Sequence, residues 1–168
     1  IEDHRPESSM IEYKAGFSGT ANPFVAKPAD KDKAIEAITK EVIAFLNAQG
    51  GDLIIGIVED EGDVGEARAV QKIKDVDRVG EQLSRALSAR IEPFQRILHV
   101  ISVKEDSLDD DGVIVIRVPS SVRSHHRSTK SKECYVRRGR ESVPMPMDEI
   151  HDLTITRATS LGARKRLL

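Results

Sequence analysis

The sequence predicts an α+β domain with a mixed, mainly antiparallel sheet packed with two to three helices. Apolar residues recur at three- and four-residue spacing in two segments, which indicates amphipathic helices. Short apolar runs bounded by glycines, prolines and acidic turns indicate strands. Strands and helices alternate first, and several strands then follow one another, which is typical of this class. With 168 residues, 39% of them hydrophobic, the chain has the size of one domain with its own core.

The first strand is predicted over residues 10–14, where the two-residue period places Glu12 and Lys14 on one face. The clearest helix follows it. Asp30 or Asp32 caps this helix, and apolar residues at helical spacing continue to residue 46.

Gly50 and Gly51 end the helix, because glycine readily adopts the left-handed conformation of a helix C-terminus. The apolar run over residues 52–58 then predicts a central strand, buried on both faces. The glycine pair is not a nucleotide-binding loop: the sequence contains neither GxxxxGK[ST] nor GxGxxG, and the pair follows a helix instead of preceding one. We therefore interpret it as a tight turn and expect no ATP.

The rest of the chain predicts four further elements. These are a second amphipathic helix, an antiparallel strand pair, a further strand and a final helix, over residues 75–90, 96–103 with 112–118, 133–139 and from about 148. Residues 1–156 are expected to form a single domain, and residues 157–168 a basic C-terminal tail. The chain starts with isoleucine instead of methionine, so we expect it to be truncated from a longer chain.

The compartment is predicted from two features. No run approaches the roughly 18 consecutive apolar residues of a membrane helix, so no membrane association is expected. The single cysteine, Cys134, has no partner for a disulfide or for a CxxC zinc site, which favours a reducing compartment such as the cytoplasm.

Charge is segregated along the sequence, although the net charge is only -2. Residues 117–140 contain eight arginines and lysines against one acid, Glu133. Such a segment is either a solvated loop or a surface that binds the phosphate backbone of RNA or DNA. Aromatic residues make up only 4%, which argues against base stacking. The candidate nucleic-acid-binding residues are Arg117, Arg123, Arg127, Lys130, Lys132, Arg137, Arg138 and Arg140.

A second candidate site consists of carboxylates near the strand ends. Glu7 and Glu12 bracket the start of the first strand, and Glu59 and Asp60 follow the central one. If these strands are neighbours, the carboxylates and Lys14 converge, and such a ligand set suits Mg²⁺ or Mn²⁺. The alternative is that these acids are ordinary solvated side chains.

Four motifs in the same order resemble the Schlafen AlbA_2 domain family. They are "ESSMIEYK", "AFLNAQGGDLIIGIVEDEGDVG", "VIVIRVPSS" and "CYVRRGRESVPM", and the resemblance covers residues 7–151. It implies a small α+β unit that binds nucleic acid. Members of this family occur in prokaryotic regulators and in Schlafen proteins that cleave transfer RNA.

The resemblance also implies a catalytic set. It indicates Glu7 and Glu12 as metal-binding catalytic carboxylates and Lys14 as a neighbouring phosphate contact. The third acid is Glu59 or Asp60: the family has an aspartate where this chain has Glu59, and Asp60 comes one residue later. The implied activity is metal-dependent endoribonuclease cleavage of structured RNA such as tRNA.

The arginine motif of the family corresponds to Arg137, Arg138 and Arg140, which the resemblance implies as backbone contacts. Eukaryotic Schlafens clamp RNA between two related lobes, and this sequence has one copy, so a homodimer is expected. The alternatives are a non-catalytic DNA- or RNA-binding module of a prokaryotic transcriptional regulator and an oligomerisation domain.

Overall fold

A four-stranded sheet with two helices against one face forms the centre of the fold. The structure is a computed structural model that describes residues 10–14, 28–59, 67–93, 98–104, 110–122 and 125–165. Their helices are α1 (Pro28–Asn47), α2 (Val76–Arg90) and α3 (Met147–Lys165). Their strands are β1 (Ile11–Lys14), β2 (Gly50–Ile55), β3 (Ile57–Glu59), β4 (Ala67–Val70), β5 (Ile91–Glu92), β6 (His99–Lys104), β7 (Gly112–Pro119), β8 (Arg127–Ser128), β9 (Tyr135–Arg138) and β10 (Glu141–Pro144).

The central sheet has the strand order β1-β2-β7-β6. Strands β1 and β2 are parallel, whereas β2–β7 and β7–β6 are antiparallel. The α+β class with a mixed, mainly antiparallel sheet is therefore confirmed. The apolar run after the double glycine correctly predicted a central strand, because β2 has a neighbour on each side. The interpretation of Gly50 and Gly51 as the turn was wrong, since they are the first two residues of β2 and the turn lies at Ala48 and Gln49.

The main core lies between this sheet and helices α1 and α2. Leu53 and Ile55 of β2 alternate with more exposed residues and are completely buried against the helices, together with Ile114 and Ile116 of β7. The buried Phe45 ring packs against Gly51 at the start of β2. A Cβ on Gly51 would lie 2.4 Å from the Phe45 ring, so the sequence needs glycine at this position.

The opposite face of the sheet carries an apolar row across all four strands. Strand register places Tyr13 beside Ile54, Ile54 beside Val115 and Val115 beside Ile101. Tyr13 is buried, but Ile101 on the last strand is 42% exposed. The row therefore becomes more open towards β6.

The predicted strand over residues 52–58 is interrupted at Gly56, which has a φ of 103°. This conformation turns β3 out of the central sheet, so that it pairs with β4 instead. The prediction of one continuous strand was therefore wrong, because a hydrophobic pattern alone does not reveal a change of direction at a glycine.

Three two-stranded sheets among the described residues were not predicted: β3–β4, β5–β8 and the β9–β10 hairpin, of which only β9 lies in a predicted strand. Helix α3 begins close to the predicted residue 148 and continues to Lys165, through most of the segment expected as a tail. Among the described helices, none has the length and apolar character needed to cross a membrane.

Candidate functional site

A buried charge cluster lies where β1, α1 and the β9–β10 hairpin meet. Its members are Glu12, Lys14, Glu41, Arg137 and Ser142. Arg137 is the centre of the cluster, since its side chain is only 1% exposed. Its Nη1 lies 2.8 Å from Glu12 Oε2 and 3.1 Å from Glu41 Oε2. One guanidinium thus bridges two carboxylates.

Polar partners complete the cluster. Ser142 donates its hydroxyl to Glu41, and Arg137 Nη1 lies 3.3 Å from the same hydroxyl oxygen. Lys14 donates to Glu12 and lies 4.0 Å from Glu41. The Arg137 guanidinium also lies 4.9 Å from the centre of the Phe45 ring, within the range of a cation–π contact. Buried charges persist only with such partners.

Local structure explains why these residues meet. Register pairs Glu12 with Leu53 and Lys14 with Ile55, so both charged side chains lie on the helix-facing side of edge strand β1. Glu41 comes from the buried face of α1. Arg137 alternates with exposed Arg138 on β9, which turns one arginine inwards and its neighbour outwards.

The structure brings Glu12 and Lys14 together, as their spacing predicted, but it leaves the metal-binding set untested. Glu7 and Asp60 lie outside the described residues, as does the side chain of Glu59. Within the described part of the chain, no group of three or more potential metal ligands occurs. Glu12 Oε2 accepts no hydrogen bond of good geometry there, despite its ion pair with Arg137. The described donors alone therefore do not form a metal site.

Arg137 differs from the other predicted phosphate contacts. The remaining described arginines and lysines of that set have exposed side chains, whereas the guanidinium of Arg137 faces the interior. A phosphate group outside the protein cannot reach it without displacing Glu12 or Glu41. Its contacts here are therefore those of a residue that holds the fold together.

The exposed cations Arg127, Lys130 and Lys132 lie in residues 127–132, which we call the basic turn. The turn is held by its own hydrogen bonds. The Ser128 hydroxyl accepts from the backbone N–H groups of Lys130 and Ser131, at 3.2 Å each, and the backbone N–H of Lys132 donates to the Ser128 carbonyl at 3.0 Å. The three cations are thus presented on a fixed backbone.

Acids from other parts of the chain accompany the basic turn. Glu92 pairs with Arg127 at 3.0 Å and with Lys132 at 3.3 Å, and Asp32 pairs with Lys130 and Arg90. Hydrogen bonds from Lys130 and Arg90 lower the pKa of Asp32 to about 2. Asp32 is therefore ionised at neutral pH, and the segregated charge of the sequence is partly neutralised in space.

The other predicted contacts lie on different elements. Arg117 faces the open side of the sheet, where it pairs with Asp52 at 3.1 Å, and Arg138 pairs with Glu149 of α3. Arg140 is exposed within the turn of the β9–β10 hairpin, and Arg123 lies outside the described residues. The seven described residues are therefore spread over several elements, and among them the basic turn holds the largest exposed group.

Sequence reasoning missed a buried polar junction around Asn47. The Asn47 amide donates to the carbonyls of His126 and Tyr135, at 2.8 and 2.9 Å, and its Oδ1 accepts from the His126 N–H at 2.7 Å. The His126 ring lies between the carbonyl of Pro93 and the hydroxyl of Ser121. The junction ties α1 to the segment that leads into the basic turn. An asparagine amid the apolar residues that end a helix was the signal that could have revealed it.

Solved structures resemble this chain only in part. The DIP2311 protein from Corynebacterium diphtheriae matches at 18% identity with a TM-score of 0.56, over 86% of this chain and 26% of that protein. The N-terminal domain of a RecG-related protein from Nitrosomonas europaea matches at 21% identity with a TM-score of 0.44, over 68% of this chain and 65% of that chain. This chain thus spans about a quarter of the Corynebacterium protein, and that likeness concerns the fold alone.

No curated protein gives a significant match to this chain. The family described as Schlafen, AlbA_2 matches residues 7–146. This range includes β1 with Glu12 and Lys14, the double glycine of β2 and the β9–β10 hairpin with Arg137. Because the match extends over most of the sequence and over the elements that build the buried charge cluster, the chain belongs to the Schlafen AlbA_2 family.

Proposed function

We propose that this domain binds RNA or DNA through the phosphate backbone, with the basic turn as its main contact surface. Family membership associates the chain with nucleic acid. The observation that carries the proposal is that Arg127, Lys130 and Lys132 are exposed together on a turn fixed by hydrogen bonds. A fixed turn binds with little loss of conformational entropy, which favours a group of weak contacts.

The ion pairs of the basic turn are compatible with this function. Glu92 and Asp32 lie at the surface, where ion pairs are screened by water and salt and contribute little to stability. A phosphate can replace these carboxylates and release condensed counterions when it binds. Binding should therefore weaken as the salt concentration rises.

Charge reversal tests this surface. We expect the double variant Lys130→Glu/Lys132→Glu to bind tRNA or duplex DNA at least about tenfold more weakly at ~0.1 M salt, since two phosphate contacts become repulsive. The magnitude of the negative slope of log affinity against log salt should decrease by about two. Fluorescence anisotropy with labelled nucleic acid measures both quantities.

The matched control is Lys74→Glu/Arg78→Glu, which changes the net charge equally. Both residues are exposed near the start of α2, whereas Arg90, beside the basic turn, ends that helix. Equal weakening by the two double variants would mean that net charge, and not the basic turn, determines binding. That result would refute the proposed surface.

We further propose that the domain is a metal-dependent endoribonuclease that cleaves structured RNA such as tRNA, with its active site at Glu12 of β1. Glu12 and Lys14 lie side by side there, and Glu12 Oε2 lacks a hydrogen-bond donor of good geometry among the described residues. Glu12 would bind the metal with Glu7 and with Glu59 or Asp60. Mg²⁺ or Mn²⁺ would activate water and stabilise the charge that develops on phosphate.

Two glutamates of the buried charge cluster separate catalysis from folding. We expect Glu12→Gln to reduce metal-dependent tRNA cleavage at least about a hundredfold while binding is retained, because it removes a proposed metal ligand. Glu41→Gln is the control, since Glu41 also pairs with Arg137 but lies outside the proposed metal set. Gel assays with EDTA and circular dichroism of both variants complete the test. Equal loss in both, or RNA that stays intact but shifts in a gel, would leave a non-catalytic binding module.

A homodimer would double the basic surface. We propose this state because two copies of the basic turn could contact one nucleic acid together, which increases the effective affinity without new types of contact. An isologous pair uses the same surface of each copy.

A further inference from the structure

Strand β6 is one of the two outer strands of the central sheet, and it is more exposed than its neighbour β7. It pairs with β7 on one side and ends the strand order of the described sheet. Ile101 and Val103 are 42% and 45% exposed. An edge strand offers unpaired backbone N–H and C=O groups, and exposed apolar residues make it a template for another strand.

A groove of about 780 Å³ lies between this edge and helix α2. Residues 98–102 form one wall, and Glu81, Ser84 and Arg85 of α2 contribute to the other. Gly80 brings the helix close to the strand: a Cβ there would lie 3.0 Å from the Ser102 hydroxyl oxygen. The groove therefore runs beside the middle of β6, and a strand added to the edge would have a helix beside it.

The charges on the helix wall are self-complementary. Glu81 and Arg85 lie one helical turn apart, and Arg85 Nη2 is 3.2 Å from Glu81 Oε2. The side chains of Arg85 and Glu81 are 78% and 71% exposed, respectively. Across a two-fold axis, Glu81 of one copy can face Arg85 of the other, and the reverse contact follows from symmetry. Two helices brought together in this way exchange internal ion pairs for intermolecular ones.

We propose that β6 pairs antiparallel with β6 of a second copy of this chain, with a two-fold axis near residues 100–102. The proposal rests on the homodimer suggested above and assigns its interface. Pairing would join the two central sheets into one eight-stranded sheet, given the four strands of each copy. The apolar row from Tyr13 to Ile101 would continue into the partner on one face of the joined sheet. The two α2 helices would lie side by side on the other face.

Charge reversal with mixing tests this interface. Glu81→Arg and Arg85→Glu each place like charges opposite one another twice in the dimer, so we expect each variant alone to have a dimer dissociation constant at least about tenfold higher than wild type. An equimolar mixture of the two should recover dimers, because every arginine then faces a glutamate. Analytical ultracentrifugation at concentrations from ~1 to ~100 μM measures these constants. Asp152→Arg, an exposed change of the same sign on α3, should leave the dimer unchanged.

Hydrogen exchange adds an independent readout on wild type. Amides of residues 100–103 should exchange more slowly as protein concentration increases across the dimer transition. A chain that is monomeric at ~100 μM, or a mixture that dissociates like the separate variants, overturns the proposal. A wild-type chain that is monomeric at ~100 μM but still binds nucleic acid in a salt-dependent way would refute this interface and leave the proposed function intact. A chain that dimerises without binding nucleic acid would refute the proposed function and leave the interface intact.

Discussion

Replacing Arg137 with methionine is expected to lower the free energy of unfolding by about 3–5 kcal/mol. The guanidinium bridges Glu12 and Glu41, and removal of one partner from a buried ion pair leaves an uncompensated charge. Here two carboxylates lose their common partner at once. Urea denaturation followed by circular dichroism gives the value.

Two further variants distinguish the ion pairs from simple loss of packing. Arg138→Met, at the exposed neighbouring position, should change the stability by less than about 0.5 kcal/mol. The triple variant Arg137→Met/Glu12→Gln/Glu41→Gln should recover at least half of the loss, since it removes the unpaired charges together with the arginine. A triple variant less stable than Arg137→Met would contradict the bridging role.

Replacing Asn47 with alanine is expected to cost about 3 kcal/mol of stability. The side chain satisfies three backbone groups, namely the N–H and carbonyl of His126 and the carbonyl of Tyr135. Each buried group left without a partner costs about 1 kcal/mol or more. Loss of the junction should also loosen the segment leading into the basic turn.

Thermal unfolding and hydrogen exchange together check this second prediction. The amide of His126 donates directly to Asn47, so its exchange should accelerate more in Asn47→Ala than that of amides in the β6–β7 pair. Gln49→Ala, two residues away and exposed, serves as the control. A stability loss equal to that of the control would show that the junction contributes little.

Sequence reasoning predicted the elements whose patterns are local. The amphipathic helix over residues 75–90 differs from α2 by one residue, and the antiparallel strand pair corresponds to β6 and β7. The break at Gly56 was not visible, because a run of apolar residues looks the same in a straight strand and in two strands joined by a sharp bend. Hairpin β9–β10 was missed because β10 has only four residues, two of them polar and one a proline.

The part of the candidate site that lies on a single strand, β1, was predictable from the sequence. Glu12 and Lys14 share a face because of the strand period. The sequence left the pairing of this strand with the central strand as a condition, and the structure shows that the two are parallel neighbours. Glu41 was not, since its place in the cluster depends on how α1 packs against β9. An arginine in a strand gave no sign of facing inwards, and only the tertiary arrangement shows that Arg137 is buried.

The basic segment illustrates a general limit of charge patterns. Eight cations against one acid in residues 117–140 suggested a strongly positive surface. In the fold, Asp32, Glu92, Asp52 and Glu149 approach from distant positions in the sequence and pair with them. Counting charges along the sequence therefore overestimated the positive charge of this surface. Among the described residues, the exposed cations are concentrated in the basic turn.

The affinity for labelled tRNA and duplex DNA as a function of salt tests the proposed nucleic-acid binding most directly. If the three cations of the basic turn each contact a phosphate, log affinity falls with log salt at a slope of about -2.7 on duplex DNA, or roughly fortyfold between about 50 and 200 mM salt. An affinity that does not change over this range, or the absence of binding at low salt, would contradict phosphate-backbone recognition by this domain.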